Sequence, residues 1–197
     1  VWQNALLLLS CMASSRMEMD TITHNTAISA CGKASEWTRS VEILGEMLAY
    51  VVEPSVVSYN AALSACDKGA SWSWALHLLA SLLGMDGLPD VVTYSTAISS
   101  LRHDPGGQWE LALLLLGQME QSRVDPNGYT FGAVVDACVG CWERAIWIWE
   151  QVLVADPECL DLFAFAALAN ACSAGRSWWW ALQALSDAEA CGLRPDV

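Results

Sequence analysis

One pattern of about 35 residues recurs five times along this chain. Each copy has a stretch of small residues, a short turn and a tryptophan, and four copies close on Pro followed by a polar residue. Cys31 and Cys66 lie 35 residues apart, and so do Trp37 and Trp72. A fixed period in this range is typical of stacked units, because a single unit cannot bury its apolar face alone.

Within one copy, the residues predict two antiparallel helices. Between Val57 and Asp67 the apolar residues have helical spacing, which indicates a first helix. Ser71 is a suitable N-cap for a second helix beginning at Trp72, and Pro89 prevents its continuation. The sequence therefore predicts an all-α, right-handed superhelical solenoid of helix hairpins with repeats of about 35 residues.

The period also defines the organisation of the chain as a single array. We expect a partial repeat at 1–20 and complete repeats at 21–55, 56–90, 91–127, 128–161 and 162–196. Because the chain begins and ends inside a repeat, we expect it to be a fragment of a longer array. Any capping repeat or targeting peptide would then lie outside it.

The composition restricts the possible partners. Nine Lys and Arg against 22 Asp and Glu give a formal net charge of −13, the opposite of the basic balance usual in nucleic-acid binders. An acidic surface favours protein partners, or a narrowly localised basic groove. No apolar run approaches the roughly 18 residues that a bilayer span requires, so we expect no membrane partner.

The eight cysteines and the tryptophans are interpreted mainly as packing residues. Cys31, Cys66, Cys138 and Cys172 occupy one place in four repeats, which predicts small buried side chains too far apart for disulfides. The Cys138-x-x-Cys141 spacing leaves a metal or redox role open as the alternative. The free thiols favour a reducing compartment. Each tryptophan is expected to pack between repeats, with base stacking as the alternative.

The openings VVSYN at 56–60 and VVTYS at 91–95, each closed by Pro and a polar residue, resemble pentatricopeptide repeats. The resemblance covers the whole chain, whereas the rival tetratricopeptide repeat has a 34-residue period and a different opening. It implies sequence-specific binding of single-stranded RNA, one nucleotide per repeat. It also implies a role in organellar RNA processing, stability, editing or translation, in a mitochondrion or plastid, without a cofactor or small-molecule substrate.

In this family, the fifth and last residues of each repeat choose the base, and the second residue sandwiches it. By resemblance, the reading pairs are Asn25 with Ser55, Asn60 with Asp90, Ser95 with Asn127, Gly132 with Asp161, and Ala166 with Asp196. The sandwiching residues are Ile22, Val57, Val92, Tyr129 and Phe163. The first three pairs would favour cytosine, uracil and adenine, while Gly132 and Ala166 have no polar side chain. The alternative for Asn25 and Asn60 is that they only satisfy a helix start.

Positive charge is scarce but recurs at one place. Lys33 and Lys68 are the only lysines and hold equivalent positions, with His103 at that place in the third repeat. The resemblance implies that all three face the groove and contact phosphates; solvated turns are the alternative.

Two functions other than RNA binding are the alternatives. An acidic, tryptophan-rich array with two weak reading pairs also fits a protein-interaction scaffold. Catalysis is disfavoured because His24, His77 and His103 lie in different repeats and no deaminase signature is present. We therefore expect a binding protein and not an enzyme.

Overall fold

The computed structural model describes residues 2–15, 20–49, 52–85, 87–104, 106–138, 140–155, 161–175 and 177–190. The helices are α1 (Trp2–Ser14), α2 (Thr21–Lys33), α3 (Trp37–Ala49), α4 (Val56–Lys68), α5 (Trp72–Leu83), α6 (Val91–Ser100), α7 (Trp109–Gln121), α8 (Gly128–Asp136), α9 (Trp142–Ala155), α10 (Leu162–Ala174) and α11 (Trp178–Ala190). A 3-10 turn spans Leu101–His103. No β-strand occurs among these residues, so the predicted all-α class is confirmed.

The even-numbered helices begin at the first residue of each predicted repeat, because the residue before them is an N-cap. The carboxylates of Asp20, Asp90 and Asp161 accept from a backbone N–H three residues on, at 2.8, 2.8 and 3.0 Å. Asn127 does the same at 2.9 Å. The last residue of a repeat therefore caps the next repeat's first helix. Ser71 holds the predicted N-cap position of α5, but its side chain makes no capping bond.

The helices group into two compact segments, Val1–Ser100 and Leu101–Val197. In the first, α2 packs on α3 and α4, and α4 packs on α5 and α6. In the second, α8 packs on α7, α9 and α10, and α10 packs on α11. Buried small residues bring neighbouring helices together: a Cβ on Gly32 in α2 would lie 3.2 Å from the Cβ of Ala65 in α4.

The expected burial of four cysteines is confirmed. Cys31, Cys66, Cys138 and Cys172 are buried free thiols. Burial raises the pKa of Cys66 and of Cys138 to about 12, so both remain protonated and unreactive at neutral pH. Cys141 is only partly buried. Among the residues described, no group of three or more His, Cys, Asp or Glu is arranged to hold a metal ion.

Two tryptophans pack on the turn of the following repeat, as the sequence predicts. A Cβ on Gly69 would lie 2.3 Å from Cδ1 of Trp37, and a Cβ on Gly175 would lie 2.2 Å from Cδ1 of Trp142. The indole ring thus occupies the volume that a side chain would need. Glycine is required at both turns for this close approach and not for its backbone angles.

We expect Gly69→Ala to lower the free energy of unfolding by about 1–3 kcal/mol, because the added methyl overlaps the Trp37 ring. The matched control is Gly84→Ala at the end of α5, where the described atoms nearest to an added Cβ are carbonyl oxygens at 3.5 and 3.6 Å. Urea unfolding of the two variants should separate them. Combining Gly69→Ala with Trp37→Ala should give a non-additive loss; strict additivity would show that the ring lies elsewhere.

Candidate nucleic-acid interface

Three large apolar side chains of the first segment are exposed to solvent at the same place in successive repeats. Ile22, Val57 and Val92, the second residues of their repeats, are 73%, 64% and 54% exposed. Each lies three positions before the fifth residue, so the apolar side chain and the predicted reading residue share a helix face. Apolar groups exposed beside polar ones are suited to hold a flat ring.

The second reading pair is joined directly by hydrogen bonds. The amide nitrogen of Asn60 donates to both carboxylate oxygens of Asp90, at 3.1 and 3.3 Å. The hydroxyl of Thr93 lies 2.7 Å from Oδ1 of Asn60 and 2.8 Å from Oδ1 of Asp90. The backbone N–H of Asp90 donates to that hydroxyl at 3.2 Å. Both polar groups of the Asn60 side chain are therefore hydrogen-bonded to Asp90 and Thr93. Asn60 thus does not act as a helix cap.

Thr93 is a member of this network that the sequence reasoning missed. It is fully buried, whereas Asn60 is half-buried and Asp90 is exposed. The sequence contains a pattern that could have identified Thr93. The third residue of four repeats carries a hydroxyl, at Thr23, Ser58, Thr93 and Thr130. Thr93 fixes which edge of the Asn60 amide faces Asp90, because its hydroxyl can donate to Oδ1.

The network determines the charge state of Asp90. Partial burial works to raise the pKa of this carboxyl, but the hydrogen bonds from the Thr93 backbone and hydroxyl and from Asn60 prevail. The pKa of Asp90 is therefore lowered below its ordinary value. The group remains ionised and able to accept hydrogen bonds at any physiological pH.

The other pairs are arranged differently. Oδ1 of Asn25 is buried and has no hydrogen-bond partner among the described residues. Ser55 caps α4 in a reciprocal arrangement with Ser58, whose hydroxyl lies 3.2 Å away. Ser95 is only 3% exposed and its hydroxyl donates to the Val92 carbonyl at 3.3 Å, while Asn127 is exposed at the start of α8.

The fourth and fifth repeats lack a polar side chain at the reading position, as the sequence predicts. Asp161 caps α10 and lies against the backbone of Gly128, where a Cβ would be 2.4 Å from its Cγ. The Tyr129 and Phe163 rings stack with centroids 4.9 Å apart. Ala166 is exposed, and Asp196 lies outside the described residues.

The predicted phosphate-contacting residues are accessible. Lys33 and Lys68 are exposed and end α2 and α4 at equivalent positions, and His103 is exposed in the 3-10 turn. Neither lysine forms an ion pair with any residue that the structure describes; Arg39, in contrast, pairs with Glu42 at 2.5 Å. Both ammonium groups are therefore available to an anionic ligand.

Comparison with known proteins finds one matching family model and several structures of the same fold. The family model of the pentatricopeptide repeat domain matches residues 7–68. The crystal structure of the maize pentatricopeptide repeat protein PPR10 superposes on the whole chain with a TM-score of 0.77 and 23% identity, using 28% of PPR10. The chain thus spans little more than a quarter of that protein's length. The match over residues 7–68 and this superposition show that the chain is similar to pentatricopeptide repeat proteins, and the predicted solenoid fold is confirmed.

Two solved complexes share this fold. PPR10 bound to an 18-nt psaJ RNA element matches 98% of this chain and 27% of its own length, with a TM-score of 0.64 and 22% identity. The pentatricopeptide repeat domain of Arabidopsis thaliana protein-only RNase P 1, in complex with tRNA, matches 87% of this chain and 90% of its own length, with a TM-score of 0.66 and 14% identity. No curated protein sequence matches the chain. None of the described helices is both long and apolar enough to cross a membrane.

We expect Thr93→Val to cost about 2 kcal/mol of folding free energy, because the Asp90 N–H and the Asn60 amide oxygen lose their shared partner. The matched control is Thr26→Val, since that exposed hydroxyl donates to the Ile22 carbonyl and to no other described residue. The control should stay within about 0.5 kcal/mol of the original chain in urea unfolding. Equal losses in both variants would show that the Thr93 hydroxyl joins no network.

Asp90 should also make stability depend on pH. The pKa of Asp90 in the folded state lies below its unfolded value of 3.8. The ionised carboxylate therefore stabilises the fold above pH 3.8, and this stabilisation is lost as the pH falls through the folded-state pKa. We expect Asp90→Asn to flatten the fall in unfolding free energy between neutral and strongly acid pH. Chemical unfolding across that range measures it, and an unchanged slope would contradict the assignment.

Proposed function

We propose that this chain binds single-stranded RNA through the exposed face of the first helices of its repeats. The observation that carries the proposal is the joined pair of Asn60 and Asp90, flanked by exposed Val57 and Val92. A base between the two valines would bury their apolar surface, and its polar edge would meet the amide and carboxylate. The RNA complexes of two proteins with the same fold support the proposal.

The finer part of the proposal is a reading of one nucleotide per repeat. By the family's pairing, Asn25 with Ser55 selects cytosine, Asn60 with Asp90 selects uracil, and Ser95 with Asn127 selects adenine. The expected core is 5′-CUA, with the first repeat at the 5′ side. Each contact is worth about 1 kcal/mol net, because a hydrogen bond to a base replaces one to water.

The three reading positions differ in how their side chains are hydrogen-bonded and buried before RNA binds. Asn60 and Asp90 are held by one another before RNA arrives, so their geometry is preorganised. The Asn25 acceptor is buried without a described partner, and Ser95 must become accessible to touch a base. We therefore expect the uracil position to be the most selective of the three.

Selection from random RNA tests this function. The original chain should return 5′-CUA, and Asn127→Asp should change the third preference from adenine towards guanine while the first two stay fixed. Asp125→Asn is the control, a nearby exposed carboxyl outside the reading pairs. No enriched word for either chain would contradict base reading.

The proposal extends to biological context through the family. We propose that the array serves organellar RNA metabolism, in a mitochondrion or plastid, as a binding module and not a catalyst. A protein-interaction scaffold is the second candidate, favoured by the net charge of −13 and by exposed tryptophans such as Trp147, Trp178 and Trp179. A pull-down that recovers proteins with RNase-treated bait, combined with no RNA retention on filters, would favour the scaffold.

A further inference from the structure

The second residues of the fourth and fifth repeats stack on each other, and Phe163, at 37% exposed, is more covered than the corresponding side chains of the first segment. The Tyr129 and Phe163 rings have centroids 4.9 Å apart and planes inclined by 27°. A base held between two side chains needs about 7 Å between them, because carbon atoms in contact are about 3.5–4.0 Å apart. The space between these rings therefore has no room for a base.

Gly132 explains why the Phe163 ring lies there. A Cβ on Gly132 would be 2.5 Å from Cδ1 and 2.7 Å from Cε1 of Phe163. The ring thus fills the volume that belongs to the side chain of the fifth residue, which in the second repeat is Asn60. Gly132 lies inside α8, and its backbone is not left-handed. Glycine is therefore needed there for close packing and not for a special backbone conformation.

The stack also packs α8 tightly against α10. The Cα of Ala164 would be 3.2 Å from a Cβ on Gly132, and the carboxylate of Asp161 lies against Gly128. Two glycines on α8 therefore face the start of α10. To open the space between the two rings, the Phe163 side chain would have to leave both its stack on Tyr129 and its close contact with Gly132.

We propose that Phe163 closes the fourth base slot, so that the nucleotide opposite the fourth repeat is passed over without inserting its base. The inference rests on the proposed RNA binding. It goes beyond the absence of a polar side chain at Gly132, because an empty slot would still accept any base, whereas a filled slot accepts none. Phe163 is then the residue that excludes a base from the fourth slot.

The closed slot can be tested without RNA. Gly132→Ala should lower the Tm by about 3–8 °C through overlap with the Phe163 ring. In the background of Phe163→Val, the same change should cost much less. The control is Gly117→Ala in α7, where no atom of the described residues lies within 4 Å of the added atom. Equal losses from Gly132→Ala in both backgrounds would overturn the proposal.

The consequence for RNA is tested with abasic sites. An abasic nucleotide opposite the second repeat should weaken binding about fivefold or more, whereas one opposite the fourth repeat should change affinity less than twofold. A loss at the fourth position equal to that at the second would show that a base enters and Phe163 moves, which overturns the proposal.

A designed reversal completes the test. Gly132→Asn with Phe163→Val, together with the native Asp161, recreates the pattern of Asn60, Asp90 and Val92. This double variant should gain a preference of about fivefold for uracil at the fourth position, and the abasic nucleotide there should become costly; no change at that position overturns the proposal. If no RNA binds to any variant while the thermal coupling is present, RNA binding fails and the closed packing stands.

Discussion

Gly32→Val is expected to lower the free energy of unfolding by about 3 kcal/mol. Gly32 lies in α2 where that helix meets α4, and a Cβ there would already be 3.2 Å from the Cβ and 3.4 Å from the Cα of Ala65. Valine adds two further methyl groups, and α4 must move to admit them. A Tm lowered by about 6–12 °C would accompany this loss.

The control for this prediction is Gly45→Val in α3, also in a helix interior, where no described atom lies within 4 Å of an added Cβ. Its effect should be a few tenths of a kcal/mol and favourable, because valine is a better helix former than glycine. Comparing the pair removes helix propensity from the result. Similar losses at both sites would mean that α2 and α4 do not approach as closely as the structure has them.

The second large effect is expected for RNA affinity. Replacing Lys33 and Lys68 by Ala should weaken binding at 50 mM salt by about tenfold or more, because each lysine releases counterions from one phosphate. On a single strand, each neutralised phosphate contributes about 0.7 to the slope of log affinity against log salt. Loss of both lysines should therefore reduce the magnitude of this slope by about 1.4. Base preference should be unchanged, since phosphate contacts carry no sequence information.

The matched control for the lysines is Arg39→Ala with Arg123→Ala. It removes two exposed positive charges from the same chain and lowers the net charge equally. Titrations at several salt concentrations should show little change in slope for the control. If both double variants lose affinity and slope alike, the lysines act only through net charge and do not line the RNA path.

The helices and their ends could be predicted from the sequence because the signals are local. Prolines such as Pro54 and Pro89 lie in the connection after one helix has ended, at Ala49 or Leu83, and the polar residue that follows each proline caps the next helix. The burial of Cys31 and Cys66 followed from their equivalent places in the repeat, since equivalent positions have equivalent surroundings. The reading pairs and phosphate contacts came by resemblance and stay predictions.

The tertiary structure decided what depends on contacts between successive repeats. The sequence placed Asn60 and Asp90 at two positions of one repeat, but only the packing of α4 on α6 brings them together with the buried hydroxyl of Thr93. Val57, Val92 and Phe163 all hold the second position of their repeats. Val57 and Val92 are exposed there, whereas Phe163 packs against Gly132 and stacks on Tyr129. Periodicity therefore determined which positions could face a ligand. Whether each position is preorganised, buried or filled was decided by side-chain volumes meeting across helices some 30 residues apart in sequence, which no local pattern records.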